Sequence, residues 1–473
     1  MSTIRYKKRG NKFYAYEIHQ YWDKELKKPR QKTKYLGVSD TEGGSYSKPG
    51  RGSSAAELEK EILDSGDSIA IAEVAKSIGL DVLIKNSFGD LDSIMNLLIF
   101  QIVEGSALQH CHEWSSGNIA SRLFKDAKTS SQDISRLIKH LGQQSLQTQF
   151  FKGYIAKFFQ DKTGLLIDST SLPSSINSSI NAFGYAGGNI EQNVTCLMLV
   201  DKISHLPIYF RAIGGDIADI STVKTTIAEI KKLGLDTDSA ILDAGFCSKE
   251  NLQFMCEEDI DFITRLPKSH NIFSEIVDEV GNIESSVHAT QYGERVVFIK
   301  STQKKIYGND LHVHIILDPA KKNKDLKFIF KDKLAEPLKA DSQLALDTKM
   351  KEAGFFILLS KKDIQKNQIL PSYYTRQKIE EIFGFAKSNN NILPLRVHSE
   401  ISIRGYLMLV FLALIVFITM KQRLKEPMDK IWLRLRSLKA KVFDDEVIIQ
   451  EPNKKVKDVF KALGVIMPTK LGV

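Results

Sequence analysis

Apolar and polar positions along the chain follow different periods in different regions. In residues 1–40, KFYAYEIHQYW and QKTKYLG alternate aromatic and polar positions, which predicts a small basic sheet. GGSYSKPGRGSS, residues 43–54, has no period and reads as a Gly/Ser/Pro linker. Residues 55–150 are mostly helical by period. Within them, SQDISRLIKHLG sets Ile134, Leu137, Ile138 and Leu141 at i, i+3, i+4 and i+7, with Arg136, Lys139 and His140 off that stripe. Ser130 or Ser131 can cap the start of this helix, and Gly142 ends it. Together with the preceding GNIASRLFKDA, the segment reads in one of two ways: a helix-turn-helix-like DNA reader with Arg136 and Lys139 as contacts, or an ordinary surface helix pair.

From about residue 160 the texture changes. TGLLIDST, NVTCLMLVD and LPIYFRA are short β-rich runs. STVKTTIAEIKKLG then reads as an amphipathic helix closed by Gly234, SAILDAG as a strand, SKENLQFMCEE as a helix and DFITRL as a strand. Strands followed by strand–helix alternation predict an α/β chain with a mixed sheet covered by helices. Residues 269–355 break the rhythm: RVVFIKS and LHVHIILD look like strands, KKNKDLKFIFKDK is strongly charged, and the whole reads as an inserted module. FFILLS returns to core-strand character. After it come a helix over about 373–390, the apolar run GYLMLVFLALIVFITM and a basic tail. The run's sixteen residues, 405–420, fall short of the roughly 20 that a membrane span needs, so a buried core helix is expected and no membrane partner.

A length of 473 residues implies several domains, and a hydrophobic share of 42% excludes disordered and fibrous classes. The formal net charge is +9, and residues 1–40 alone hold eleven Lys or Arg against four Asp or Glu. Most of the positive excess therefore sits at the start of the chain, where it favours a polyanion such as nucleic acid. Cys111, Cys196, Cys247 and Cys256 are too sparse for a disulfide framework, and MSTIRYKKRGNK has no apolar signal core; a reducing cytoplasm is expected. His110, Cys111 and His112 lack a second ligand cluster, so a structural role is expected of them. His312 and His314 share one face of a strand that is expected to be solvated or DNA-facing. A phosphate-cradling Gly-rich motif, GxGxxG and HExxH are all absent, so ATP chemistry is not implied.

Two carboxylates end apolar runs: Asp168 in LLIDST and Asp243 in AILDAG. A carboxylate at the edge of a buried strand is costly unless paired, hydrated or bound to a cation. Taken singly, each also reads as a strand-end Asp that starts a turn. A third element is YYTRQKIEEIFGFAKSNN, residues 373–390. On a continuous helix, Tyr373, Arg376, Glu380 and Lys387 share an arc about 60° wide. Ile379, Ile382, Phe383 and Ala386 form the adjoining apolar stripe, and Glu381 points away. An acid framed by an aromatic ring and two cations suits a phosphate-rich ligand; a surface helix with a Glu–Lys mixture is the alternative.

Tyr-x2-Arg-x3-Glu-x6-Lys over residues 373–387 resembles, without a gap, the signature of bacterial and archaeal insertion-sequence transposases with a DDE active site. LLIDST resembles that family's first-Asp strand and ILDAGFCSKENL its second. FGYAGGNIEQN, LMLVD and LPIYFRAIGGDIAD resemble the segment between, and DSIMNLLIFQIVEGSALQHCHEW and YWDKELKKPRQKTKYLG resemble parts of one subgroup. Asp168 and Asp243 are 75 residues apart, and Asp243 and Glu380 are 137 apart. The longer gap contains the module at 269–355, where the family carries a β-rich insertion.

The resemblance implies an RNase H-like mixed-sheet catalytic core at 151–268 and 356–425, interrupted by a β-rich insertion at 269–355. Before the core lie a basic N-terminal β module and linker, 1–52, and a helical DNA-binding domain, 53–150; a basic C-terminal segment, 426–473, follows it. It implies a metal-dependent polynucleotidyl transferase and endonuclease, with Asp168, Asp243 and Glu380 as the catalytic acids and ligands of two Mg²⁺ or Mn²⁺ ions. Hard cations of this kind prefer oxygen ligands, and a pair roughly 4 Å apart can clamp an in-line displacement at phosphorus. Tyr373, Arg376 and Lys387 would hold the DNA backbone beside them. The implied partners are double-stranded DNA with terminal inverted repeats, target DNA, and a second copy of the chain in the DNA complex. Some relatives stack a flipped base on a Trp in the insertion; here Trp22, Trp114 and Trp432 all lie outside it, which leaves Tyr292 or Phe298 as the available aromatic face. The alternatives are a non-catalytic DNA-binding relic and a host RNase H-like nuclease without joining activity.

Overall fold

The computed structural model describes residues 2–9, 12–23, 27–47, 59–174, 180–186, 189–216, 222–331, 340–388, 395, 397, 399–444 and 446–472. The chain divides into two units: residues 1–61 with 441–447 and 472–473, and residues 62–440 with 448–471.

The first unit is built on the alternating N-terminal segment. β1 (Ser2–Arg9), β2 (Lys12–Asp23) and β3 (Lys28–Ser39) form an antiparallel sheet in that order. The β2–β3 register shifts between Ala15 and Tyr16, where Leu36 is the extra residue. Tyr14, Tyr16 and Tyr35 meet on one face, with ring centroids 5.4 Å apart for Tyr16–Tyr35 and 6.3 Å for Tyr14–Tyr35. Among the strand residues only Ala15, Gly37 and Ser39 are buried. Residues 48–54 of the expected linker lie outside the described residues.

A short strand, β4 (Glu61–Asp64), spans the boundary at residues 61 and 62, and seven helices of the second unit follow it: α1 (Gly66–Ser77), α2 (Leu80–Phe88), α3 (Leu91–Val103), α4 (Cys111–Ser116), α5 (Ala120–Leu123), α6 (Ser131–Leu141) and α7 (Gln144–Phe158). Ser130 caps α6, its hydroxyl accepting the Asp133 N–H at 3.2 Å. The expected pair of helices is not a pair of equals, because α5 is a single turn of 4 residues. The α6 stripe of Ile134, Leu137, Ile138 and Leu141 is buried, and it is used for helix packing.

That packing partner is α15 (Glu400–Arg423), and glycines set the distance. A Cβ on Gly405 would lie 1.7 Å from the Ile138 carbonyl oxygen, and one on Gly142 would lie 1.8 Å from that of Ile401. No side chain fits at either position, so the two helices cross backbone to backbone. The His110–Cys111–His112 stretch is structural as expected: Cys111 is buried against Asn96, and His112 hydrogen-bonds Thr129 at 2.8 Å.

A ten-stranded mixed sheet forms the centre. Its strands are β5 (Lys162–Pro173), β6 (Ala182–Ala186), β7 (Asn189–Asp201), β8 (Pro207–Gly214), β9 (Asp236–Leu242), β10 (Asp261–Leu266), β11 (Ala289–Tyr292), β12 (Arg295–Ile306), β13 (Asn309–Leu317) and β14 (Phe355–Ser360). They run in the order β11-β12-β13-β14-β10-β9-β5-β7-β6, with β8 on β7. β5, β9 and β10 are parallel neighbours, and the other pairs are antiparallel. The continuous apolar runs LLI and AIL belong to the inner parallel strands, buried on both faces. α8 (Thr222–Lys232), α9 (Lys249–Glu257) and α10 (Asn271–Val280) supply the core on one face, packing on Leu165, Ile167, Ala240, Leu242 and Val313. The strands at 289–317 do not stand apart: they extend this sheet through β14.

The charged KKNKDLKFIFKDK segment falls in α11 (Pro319–Lys331), followed by α12 (Ala340–Lys351); residues 332–333 lie outside the described residues. The expectation that His312 and His314 line a solvated strand fails at His314, which is fully buried between Ser301 and Ser360. The expected helix over 373–390 is two helices, α13 (Ile369–Tyr374) and α14 (Gln377–Ser388), with residues 389–390 outside the described residues. At the join, the Arg376 N–H bonds the Tyr373 carbonyl and the Ile379 N–H bonds the Arg376 carbonyl, three residues back in each case. α15 (Glu400–Arg423) contains the long apolar run. Its mean hydropathy of 2.4 and length would allow a membrane span, but every residue from Gly405 to Met420 is buried in protein. Phe411 on α15 packs edge-on against Phe151 and Tyr154 of α7, at 5.3 and 5.8 Å. The C-terminal segment is folded rather than a plain basic tail: α17 (Lys454–Leu463), which follows α16 (Met428–Leu435), buries Val456, Val459, Phe460 and Leu463.

Candidate functional site

Asp168 and Asp243 arrive together because their strands do. In the parallel β5–β9 register Ile167 lies opposite Leu242, so the next residues, Asp168 and Asp243, stand at the same level, with Asp168 still paired to Met198 of β7. Alternation turns Asp168 away from the face that carries Ile167 and Leu242 and toward α14. β9 ends at this point, and Asp243 opens a tight turn over Ala244–Phe246.

The third acid comes from α14, whose Ile379, Ile382, Phe383 and Ala386 are buried. The turn between α13 and α14 carries Arg376, and its guanidinium sits among all three acids. It lies 2.8 Å from Asp168, 2.7 Å from Glu380 and 3.7 Å from Asp243. Tyr373 is buried and donates its hydroxyl to Asp243 at 3.2 Å. The Arg376 guanidinium also lies 5.8 Å from the centre of the Tyr373 ring. So the break in the helix does not disperse the four residues of the motif. Lys387, one step further along α14, is half-buried beside Thr170, Cys196 and Phe383. Glu381 points elsewhere and pairs with Lys378 and Lys421 at 2.8 and 2.9 Å.

The electrostatics follow from burial. Asp168 is pushed up to about 6 by desolvation, against the pull of Arg376 and the Ser169 N–H, and Asp243 and Glu380 raise it further. Burial and the neighbouring Asp243 charge raise the Tyr373 phenol, so it stays a hydrogen-bond donor. Burial opposes the charge on Arg376, but Asp243 and Asp168 outweigh it and hold the cation firmly charged. The Arg376 Nε is buried with no hydrogen-bond partner among the described residues. Burial lowers the Lys387 ammonium, against the attraction of Cys196 and Asp168.

Three acids against one guanidinium leave excess negative charge, and Glu380 and Asp243 remain open to solvent, at 50% and 39% side-chain exposure. The donor set is oxygen only, which suits a hard divalent cation. Among the described residues, no three carboxylate, imidazole or thiol groups already surround one point at ligand spacing; the acids close on Arg376 instead.

Arg136 and Lys139 stand on α6, outside this group. Arg136 is exposed and pairs with Asp133 at 3.2 Å, while Lys139 lines a cavity of about 640 Å³ with Ser131, Ser135, Ser402 and Tyr406. Of the two aromatic stand-ins, Phe298 packs against the core, whereas Tyr292 stacks on Tyr374 with centroids 5.3 Å apart. Two neighbours of the motif carried no sequence signal: Tyr374, which joins Tyr373 to Tyr292, and Arg265, whose charge acts on Tyr373 from the end of β10. Only pairing across the sheet could have located them.

The fold and this cluster define a class: α/β proteins that gather carboxylates from distant segments at the level where the pairing of neighbouring parallel strands ends. The family is narrower still. Residues 159–416, more than half of the chain, match the transposase DDE domain, and the chain belongs to that family of DDE transposases. No curated protein matches the chain. Among solved structures, the cryo-EM structure of a piggyBac transposase synaptic complex with hairpin DNA is similar at TM-score 0.41 and 11% identity, over 78% of this chain and 76% of that one, a likeness too coarse to carry an argument.

Proposed function

We propose that the chain is a DNA transposase that binds the ends of its element, cuts phosphodiester bonds there and joins the freed 3′-hydroxyl ends to target DNA. Asp168, Asp243 and Glu380 are its catalytic acids, carried on an RNase H-like core (residues 151–268 and 356–425) with residues 269–355 as the insertion. One observation carries this reading: three acids from segments far apart in sequence close on a single cation, at the level where β9 and its parallel pairing with β5 end.

Those three residues would hold two divalent cations, Mg²⁺ or Mn²⁺, which when bound supply Lewis acidity at phosphorus and activate the attacking oxygen. The rest is the work of side chains. Tyr373 fixes the rotamer of Asp243 through its hydroxyl. Arg376 offers a planar fork that matches phosphate as well as it matches carboxylate, so backbone phosphate can take over the contacts that Asp168 and Glu380 make with it here. Lys387 adds a point charge, and the Tyr292–Tyr374 stack offers an aromatic surface for an unstacked base. Residues 53–150 contribute further DNA contacts, Arg136 among them. Terminal inverted repeats are the DNA recognised, two copies of the chain serve two ends, and the cytoplasm is the compartment.

The test is cleavage of duplex carrying the element's terminal repeats in Mg²⁺ or Mn²⁺. Glu380→Gln is expected to bind this duplex and not cut it; normal cutting by that variant removes the assignment of the acid. Joining of a 3′-hydroxyl end to a second duplex separates a transposase from a nuclease.

A further inference from the structure

The three-stranded sheet of the first unit lacks what normally stabilises a small sheet. Such sheets bury one face on a core or a helix. Here three strand residues are buried, and charge is spread over both faces. The distribution of that charge is ordered. Past the register shift, Lys34 lies opposite Glu17, Lys32 opposite His19, Arg30 opposite Tyr21 and Lys28 opposite Asp23. Strand alternation therefore puts Lys28, Arg30, Lys32 and Lys34 in one row on one face, all exposed. Successive cations stand about 6.8 Å apart, and the row is about 20 Å long. Its acidic neighbours on that face are Glu17 and Asp23, and Asp23 pairs with Arg30 at 3.4 Å. The other face carries Arg5, Lys7, Arg9 and Lys12 with no acid among the described strand residues.

The shape is equally specific. Among the described residues, β1 pairs with β2 as far as His19, and Gln20–Asp23 and Lys28–Gln31 pair with each other beyond it as a two-stranded ribbon. Tyr21 and Trp22 on this ribbon are exposed, Trp22 at 61%. A two-stranded ribbon fits the major groove of B-form DNA, roughly 12 Å wide. The four cations of the row can each meet a phosphate of one strand.

We propose that the β1–β3 sheet is a duplex-DNA arm: the β2–β3 ribbon enters the major groove, and Lys28, Arg30, Lys32 and Lys34 neutralise one phosphodiester backbone. Charge complementarity chooses the partner. Duplex is favoured over single-stranded nucleic acid because the cations form a regular row, whereas the exposed rings Tyr21 and Trp22, adjacent on β2, point to opposite faces and make no continuous stacking platform. The arm's binding is independent of the acid cluster.

The experiment uses the full chain carrying Glu380→Gln, without divalent metal, and a fluorescent duplex of mixed sequence titrated across about 50–200 mM salt. Combining Lys28→Gln, Arg30→Gln, Lys32→Gln and Lys34→Gln is expected to weaken binding on the order of 10²-fold and to flatten the log–log salt slope by about 3 to 4. The same neutralisation on α17, at Lys454, Lys455, Lys457 and Lys461, is expected to do far less. Duplex is also expected to quench the Trp22 emission, a signal that Trp22→Phe removes. An unchanged slope in the ribbon variant, equal losses from both variants, or tighter binding of the single strand of the same sequence overturns the proposal. Circular dichroism of each variant separates these outcomes from unfolding. Failure of the catalytic reading would show instead as cutting by Glu380→Gln once Mg²⁺ is added.

Discussion

Asp168 and His314 lie on the same face of the central sheet, and the protein solves their burial in opposite ways. Asp168 lies on β5 just past the end of its parallel pairing with β9 and is kept beside a cation: Arg376 stands 2.8 Å away, and two more acids crowd the same guanidinium. His314 sits mid-strand on β13 and is kept neutral. Ser360 donates its proton to the Lys362 carbonyl, so it accepts from His314 Nε2, which leaves Nδ1 to accept from Ser301. The histidine network is closed, since every donor has an acceptor and no charge is left over. The acid network is open, with more negative charge than its one cation balances and two carboxylates reaching solvent. A closed network stabilises a fold; an open one is a site waiting for a ligand.

The sharpest way to break this contrast is to remove one acid. Asp168→Asn is expected to lower strand cleavage by about 10³-fold or more, roughly 4 kcal/mol of barrier, while changing folding stability by no more than about 1 kcal/mol. Cleavage kinetics beside urea denaturation decide it; a variant that cuts normally, or that loses stability in proportion, puts the acid cluster on the same footing as the histidine. The next effect is smaller. Arg376→Ala strips the acids of their shared cation, and breaking a pair this deeply buried is expected to cost about 3 kcal/mol. Millimolar Mg²⁺ is expected to restore part of that loss, because a ligand that binds only the folded site raises stability by mass action. A melting temperature of the alanine variant that ignores Mg²⁺ speaks against the three acids as a donor set. Third, His314→Leu leaves two serine hydroxyls without their partner and is expected to cost about 2 kcal/mol, with DNA cleavage unaltered at permissive temperature.

The same contrast explains what the sequence reveals and what it hides. The strands LLIDST, AILDAG, DFITRL and FFILLS and the capped helix at SQDISRLIKHLG follow from local period and turn chemistry, and the structure has them where the pattern sets them. The four motif residues share a site because Arg376 and Tyr373 reach the two acids, although the single helix expected for them is broken at Thr375–Arg376. Period alone cannot register such a break, since the apolar stripe of α14 resumes in phase beyond it. His314 departs from the expected solvated face for a related reason. Alternation says that His312 and His314 share a face, but not whether β14 and β12 flank that face with serines or leave it to water. Likewise, nothing local says that the strands at 289–317 extend the central sheet, because strand order is a long-range property. Gly142 reads as a helix stop, yet it and Gly405 mark a backbone-to-backbone crossing that exists only in three dimensions.

The smallest effect tests the closed network by pH. Burial pushes His314 down to about 4, from an ordinary value near 6.5. Above 6.5 the ring is neutral whether the chain is folded or unfolded, and the network contributes in full. As pH falls from 6.5 toward 4, the unfolded chain takes up a proton that the folded one refuses, so stability falls. Asp168 titrates in the opposite sense over part of this range: its raised value near 6 means that the folded state gains a proton before the unfolded one, and stability rises as pH falls through 6. The two slopes partly cancel in the wild-type curve. The informative quantity is therefore a difference. His314→Gln keeps an amide that can bridge Ser301 and Ser360 but cannot titrate. Between pH 7.5 and 5.5 the wild type is expected to lose about 1.4 kcal/mol relative to this variant, measured as paired urea midpoints at each pH. Parallel pH profiles for the two proteins would mean that His314 gains its proton inside the fold, and the distinction between a closed network and an open one would fail on this side of the sheet.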